Sequence, residues 1–218
     1  MSYGLEIYNQ SSFLQIDDKY PQYVVIASGT ATENTDVYFP TQSGPPLIMV
    51  RPDGAGGDYF IGRISHLFND HFKALMNHVG ATFQYKVLKP VNELSEPTSG
   101  YGLVVRGSSG QVVFNSQQVD MFRVATVITF TPSFDTAVGV ANNGGQIWYS
   151  FNTMRLISVT PVGEGTIWDY QYDGVGVRRD SESQVTLGRV GFSETVITSQ
   201  PYSTNVSGPV TLLVGTFT

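Results

Sequence analysis

The chain reads as all-β: two related antiparallel β-sandwich-like units, built around duplicated hairpins, with at most one short helix. Three observations lead there. Residues 3–18 and 101–116 match without a gap at an offset of 98 positions, so one unit is used twice. Apolar runs of roughly five residues alternate with Gly, Pro and Asn turn signals at about 8–12-residue spacing, the rhythm of sandwiches and barrels rather than of βαβ units. Coiled-coil heptads are absent.

Within the repeat, Tyr3/Tyr101, Gly4/Gly102, Leu5/Leu103 and Ser11/Ser109 are identical, and Ile7/Val105, Leu14/Val112, Ile16/Phe114 and Asp17/Asn115 keep their physical character. Tyr3, Leu5 and Ile7 alternate with Gly4, Glu6 and Tyr8, the period of a strand with one buried face. Asn9–Ser12 and Gly107–Gly110 are the polar loops of two hairpins, and aligned Asn9 and Gly107 share a tolerance for positive φ. A hairpin cannot bury its apolar face alone, so each needs the strands that follow it, Tyr23–Ile26 and Phe122–Phe130.

The elements then run in order. Val37–Phe39, Leu47–Val50 and Tyr59–Ile61 are strands of a meander broken by Gly44-Pro-Pro46 and by Pro52–Gly57. Residues 65–79 carry Leu67, Phe68, Phe72, Leu75, Met76 and Val79 near helical spacing, which fits a short helix, and a strand with an aromatic face fits as well. Thr82–Leu88 alternates. Lys89–Gly100, with two prolines, is the best linker and sets the boundary near residue 98, giving units 1–98 and 99–218 that are separate or share one core. In the second unit Ala137–Val140, Ile147–Val159, Thr166–Gly174, Gln184–Val190, Glu194–Thr198 and Val210–Phe217 are the strand runs.

Composition narrows the function. With 12 basic and 18 acidic residues the net charge is −6, and Arg178-Arg179 is the sole basic cluster, which argues against nucleic acid as a partner. Cysteine is absent, so disulfides and thiolate metal sites are excluded. Charged residues make up 14% against a usual ~25%, which suits a β-rich chain with many turns or one whose surface is largely covered by other subunits. No basic-then-apolar leader and no apolar run of membrane-spanning length is expected.

Specific chemistry is sparse. His66, His71 and His78 have spacings of five and seven, which place no pair on adjacent turns of one helix face and turn His71 away from the other two on a strand, so they read as structural or surface histidines. Asp53–Asp58 lacks the later oxygen ligands of a calcium loop and reads as a turn. Asp169, Asp173, Asp180 and Glu182 offer acidic pairs without a fixed separation, and no serine elbow is present, so no enzyme, catalytic residue, metal or cofactor is expected. Trp168, Tyr170 and Tyr172 share one face of an alternating strand, with Asp169, Gln171 and Asp173 opposite. That row is the best glycan- or partner-binding face, although core or subunit interface is the commoner use of such rows.

The phrase Tyr-Gly-Leu-x-Ile/Val-x-Asn/Gly-x-Ser, at residues 3–11 and again at 101–109 after a proline-containing linker, resembles a family of uncharacterised virion proteins of tailed bacteriophages and prophages. The second copy follows a strand, Phe83–Leu88, that is also similar to the family, and the resemblance spans most of residues 1–130. Ser12-Phe13 departs from the family's usual glycine and polar residue, which alters the turn but keeps the hairpin. The resemblance implies a structural component of the distal tail, at the tip, baseplate or fibre region, made in the host cytoplasm and assembled with copies of itself and other tail proteins. A receptor-binding module for host-surface glycan or protein is the alternative, and a capsid decoration protein the third.

Overall fold

The computed structural model describes residues 6–8, 14–17, 21–53, 61–76, 80–94, 101–117, 122–130, 136–140, 145–150, 156–164, 167–197, 204–205 and 210–217. The first unit holds β1 (Glu6–Tyr8), β2 (Leu14–Asp17), β3 (Tyr23–Thr32), β4 (Asp36–Tyr38), β5 (Leu47–Pro52), β6 (Ile61–Leu67), β7 (His71–Met76), β8 (Thr82–Pro90) and a 3-10 turn at Val91–Glu93. The second holds β9 (Val104–Arg106), β10 (Val112–Asn115), β11 (Phe122–Phe130), β12 (Thr136–Gly139), β13 (Trp148–Ser150), β14 (Leu156–Glu164), β15 (Ile167–Ser181), β16 (Gln184–Ile197), β17 (Thr204–Asn205) and β18 (Val210–Phe217). The chain is all-β, and among the described residues no helix is long and apolar enough to cross a membrane.

Both repeated segments are hairpins, and their registers coincide pair for pair. Glu6↔Asp17, Ile7↔Ile16 and Tyr8↔Leu14 in the first become Val104↔Asn115, Val105↔Phe114 and Arg106↔Val112 in the second, with the bulge at the same place. The second turn closes as the glycines predict, Gly110 N–H donating to Gly107 O at 2.9 Å with Gly110 at φ +83°. Burial differs from a one-faced ribbon. All of Val112–Asn115 is buried, because Val112 packs on Val24 and Val91 while Val113 and Phe114 pack on Val105. Gln22 N–H donates to Val113 O at 3.0 Å, tying the start of β3 to the second hairpin.

The duplication extends far beyond the hairpins. One sheet has the order β11-β18-β13-β5-β8-β3 and the other β12-β16-β15-β6-β7-β4, so each unit supplies three strands to each sheet in the same internal order. Register fixes the equivalences. β3 pairs with β8 as Val25↔Leu88 and Ala27↔Val87 around a bulge; β11 pairs with β18 as Val124↔Gly215 and Thr126↔Val214 around a bulge at the matching residue. Tyr38↔His71 corresponds to Gly139↔Gln184, and the Phe39 N–H to Asp70 O bond corresponds to Val140 N–H to Ser183 O, both 2.8 Å. Equivalent strands meet antiparallel at both junctions, β5 with β13 and β6 with β15, as a two-fold axis requires. Met49 pairs with its own counterpart, Ser150, so the axis passes there.

The sheets pack face to face. Ile48, Val50, Phe83 and Val87 of one sheet enclose Val37, Phe72, Ala74 and Met76 of the other in the first unit. Tyr149, Leu212 and Val214 meet Val177, Val185 and Leu187 in the second. The opposite face of the six-stranded sheet is also apolar, with Met49, Leu88 and Trp148 buried against Val25, Leu47, Phe122 and Phe217. That face is concave. β8 and β18 are three strand spacings apart, about 14 Å on a flat sheet, yet Lys86 Nζ lies 4.0 Å from the Phe217 ring centroid, and edge strands β3 and β11 touch. The matched bulges in β3/β8 and β11/β18 supply the curl.

Residues 65–76 are strand and turn, and the helical option over 65–79 is corrected as far as Met76; residues 77–79 lie outside the described set. Asn69-Asp70 forms a tight turn closed by Phe68 N–H to His71 O at 2.8 Å, after which Phe72, Ala74 and Met76 point into the core. The segments expected as separate strands at 184–190 and 194–198 are one strand, β16, and 147–159 divides into β13 and β14. The loop after Asp53 to residue 60 and the linker after Leu94 to residue 100 lie outside the described residues.

Candidate functional site

The units differ in one large feature. β6 and β7 have 7 and 6 residues, whereas their counterparts β15 and β16 have 15 and 14. The offset between equivalent residues is 101 at β5/β13, 113 at β7/β16 and 127 at β8/β18, and the two jumps coincide with β14 and β17, which have no counterparts among the described residues. The sandwich ends where β6 meets Val177 and β12 meets Leu187. Beyond it residues 167–174 of β15 pair with β14 on one side and with residues 190–197 of β16 on the other, forming an arm about 26 Å long. Gly174, Gly176, Gly188 and Gly191 gather in neighbouring register positions at the root, where strands lacking side chains bend most easily.

The aromatic row Trp168, Tyr170 and Tyr172 lies on this arm, opposite Val196, Glu194 and Phe192 of β16. Trp168 is half-buried and flanked by exposed Ile167 (59%) and Asp169; the side chains of Tyr170 and Tyr172 lie outside the described residues. At the tip, Gly163 has φ +154° and lies so close to β15 that a Cβ would sit 2.6 Å from the Ile167 carbonyl oxygen. Exposed Val162 and Glu164 flank it.

A second constellation joins the units inside the fold. Glu182, in the β15–β16 turn, accepts from Arg51 of β5 and Arg179 of β15, both at 2.5 Å, and from the Ile147 N–H at 3.0 Å. Both arginines are buried. Partial burial pushes the Glu182 carboxyl up, but the Ile147 N–H and the two guanidiniums outweigh it and hold the group below its ordinary value. Tyr149 is fully buried nearby, its hydroxyl has no hydrogen-bond partner among the described residues, and desolvation drives its pKa far above the usual tyrosine range. No signal along the chain links residues 51, 149, 179 and 182.

His71 Nδ1 lies 2.7 Å from Asp70 Oδ1 and its ring stacks on Phe68 at 4.6 Å; the His66 and His78 side chains lie outside the described residues. Asp53 accepts from Thr82 Oγ1 at 2.7 Å and Gln84 Nε2 at 3.1 Å, a brace onto β8. Asp180 accepts from Arg178 at 2.9 Å and Thr186 at 2.6 Å. Of the four acidic candidates, Asp169 is exposed on the arm, Asp180 and Glu182 belong to two structural networks, and the Asp173 side chain lies outside the described residues.

The repeated phrase itself is held outward in the second hairpin. Tyr101 is fully exposed and Leu103 is 51% exposed, contrary to the buried face expected of this alternation. The Gly102 backbone is so close to β10's end that a Cβ would lie 2.8 Å from Ser116 Oγ, the atom that accepts from the Leu103 N–H. No family model, curated protein or solved structure matches the chain.

Proposed function

We propose that this chain is a structural virion protein of a tailed bacteriophage, located at the distal tail and working by assembly with copies of itself and with other tail proteins after synthesis in the host cytoplasm. The exposure of the phrase on which the resemblance rests carries the reading. An apolar Tyr101-x-Leu103-Val104 stretch turned to solvent is stable in a particle when another subunit covers it. The arm, with Val162 (49%) and Ile167 (59%) exposed, and edge strand β11, with Val124 and Val127 more than half exposed, extend the same surface chemistry. Immunogold electron microscopy of phage particles with antibody against the chain tests it: label at the distal tail supports the proposal, while label on the capsid or absence from particles overturns it.

Recognition of a host-surface glycan or protein is the second reading, favoured by half-buried Trp168 on the arm. Trp168→Ala separates the two. Loss of cell attachment by intact particles supports recognition, and failure to enter particles supports assembly.

A further inference from the structure

The concave face of the six-stranded sheet holds a cavity of about 470 Å³, within the size range of small-ligand sites. Register puts Ser28 opposite Lys86 and Thr30 opposite Gln84 on adjacent strands, and the curl brings Gln146 and Phe217 to the same cavity. The Lys86 ammonium is held over two rings, 4.0 Å from the Phe217 centroid and 5.3 Å from that of Trp148. Gln84 Nε2 donates to Asp53 Oδ1, which fixes the amide.

The pseudo-two-fold gives an internal control. At the equivalent positions of the opposite end, Lys86 is matched by Leu213, Gln84 by Thr211, Ser28 by Val127, Trp148 by Leu47 and Phe217 by Pro90. The same strands, with the same bulges, are built there without an ammonium, a side-chain amide or an aromatic ring at these positions. The fold therefore does not demand these residues at the first end.

We propose that this cavity is a binding site for an acidic sugar residue. Two hydroxyls and two amides, each able to donate and accept, suit neighbouring sugar hydroxyls; the ammonium suits a carboxylate; the Phe217 ring offers an apolar wall to sugar C–H groups. The assignment stands on the cavity alone and does not rest on the viral reading.

The test is titration of the isotopically labelled full chain with D-glucuronate and N-acetylneuraminate, read by amide chemical shifts of Ser28–Thr30 and Gln84–Lys86. D-glucose and acetate serve as neutral-sugar and bare-carboxylate controls. Saturable shifts are expected with at least one acidic sugar, with both controls and the Lys86→Leu variant weaker by about tenfold or more. Lys86→Leu installs the residue already present at the equivalent position, and Gln84→Thr, chosen the same way, is the second variant should the first fail to fold. No saturation by either acidic sugar, equal binding of glucose or acetate, or undiminished binding by the folded variant overturns the proposal.

Discussion

Replacing Glu182 with Gln tests whether the buried ionic cluster holds the two units together. The substitution keeps shape but removes the charge that faces Arg51 from the first unit and Arg179 from the second. Removing one partner of a buried pair costs about 3–5 kcal/mol. The arginine side chains are 9% and 8% exposed but Glu182 is 39% exposed, so water screens part of the loss and about 2–3 kcal/mol is expected. For a chain of this size that is about 4–12 °C in Tm. Urea unfolding followed by fluorescence, with Trp148 as a buried reporter, measures it. Because the folded carboxyl titrates below its ordinary 4.5, its contribution is present above that value and is lost as pH falls through the lower folded pKa. The gap between the parent chain and Glu182→Gln should therefore narrow on acidification below about pH 4.5. A gap under about 0.5 kcal/mol at neutral pH, or one that widens in acid, refutes the reasoning.

Tyr149→Phe removes a buried hydroxyl that has no partner among the described residues, so stability should stay level or rise by up to about 1 kcal/mol in the same assay; a loss above that would mean the hydroxyl is satisfied. Gly163→Ala puts a side chain at φ +154° against the Ile167 carbonyl and should cost about 1–3 kcal/mol locally. Proteolysis should then accelerate at the arm while the sandwich amides keep their hydrogen-exchange protection. Phe72→Ala empties a site between Phe39, Phe83 and Tyr85 and should cost about 3–5 kcal/mol. Since both sheets run through both units, Trp148 fluorescence and far-ultraviolet circular dichroism should shift together; a Trp148 midpoint left at its original value would show that the units unfold separately.

The hairpins and most short strands were legible because alternation and turn residues are local signals. The helical option over 65–79 arose because Phe68, Phe72 and Met76 recur at four-residue spacing, a period that also fits a strand pair folded at Asn69-Asp70. β15 and β16 were undercounted because Gly174, Gly176, Gly188 and Gly191 look like breaks, whereas in a paired ribbon they permit a bend. The ionic cluster and the cavity were invisible for a different reason. Their members come from β3, β5, β8, β13, β15 and β18, from the β15–β16 turn and from the residues just before β13, and only the curled sheet and the two-fold junctions bring them together.

Fusion of the two units into one chain explains why these differences exist. A two-fold homodimer with the same strand pairing would carry identical ends, because any side chain gained at one copy appears at both. Here the junction pairs β5 with β13 and β6 with β15 as such a dimer would, while the two halves are free to diverge. The differences include the arm on β15 and β16 and the Lys86 end of the concave face, while core pairs such as Val87 and Val214 or Phe72 and Val185 stay apolar and buried. Packing constrains the equivalent core positions equally in both halves. A solvent-facing arm and the lining of one cavity escape that constraint, so folding alone does not select the residues found there over the apolar, shorter alternative present in the same molecule.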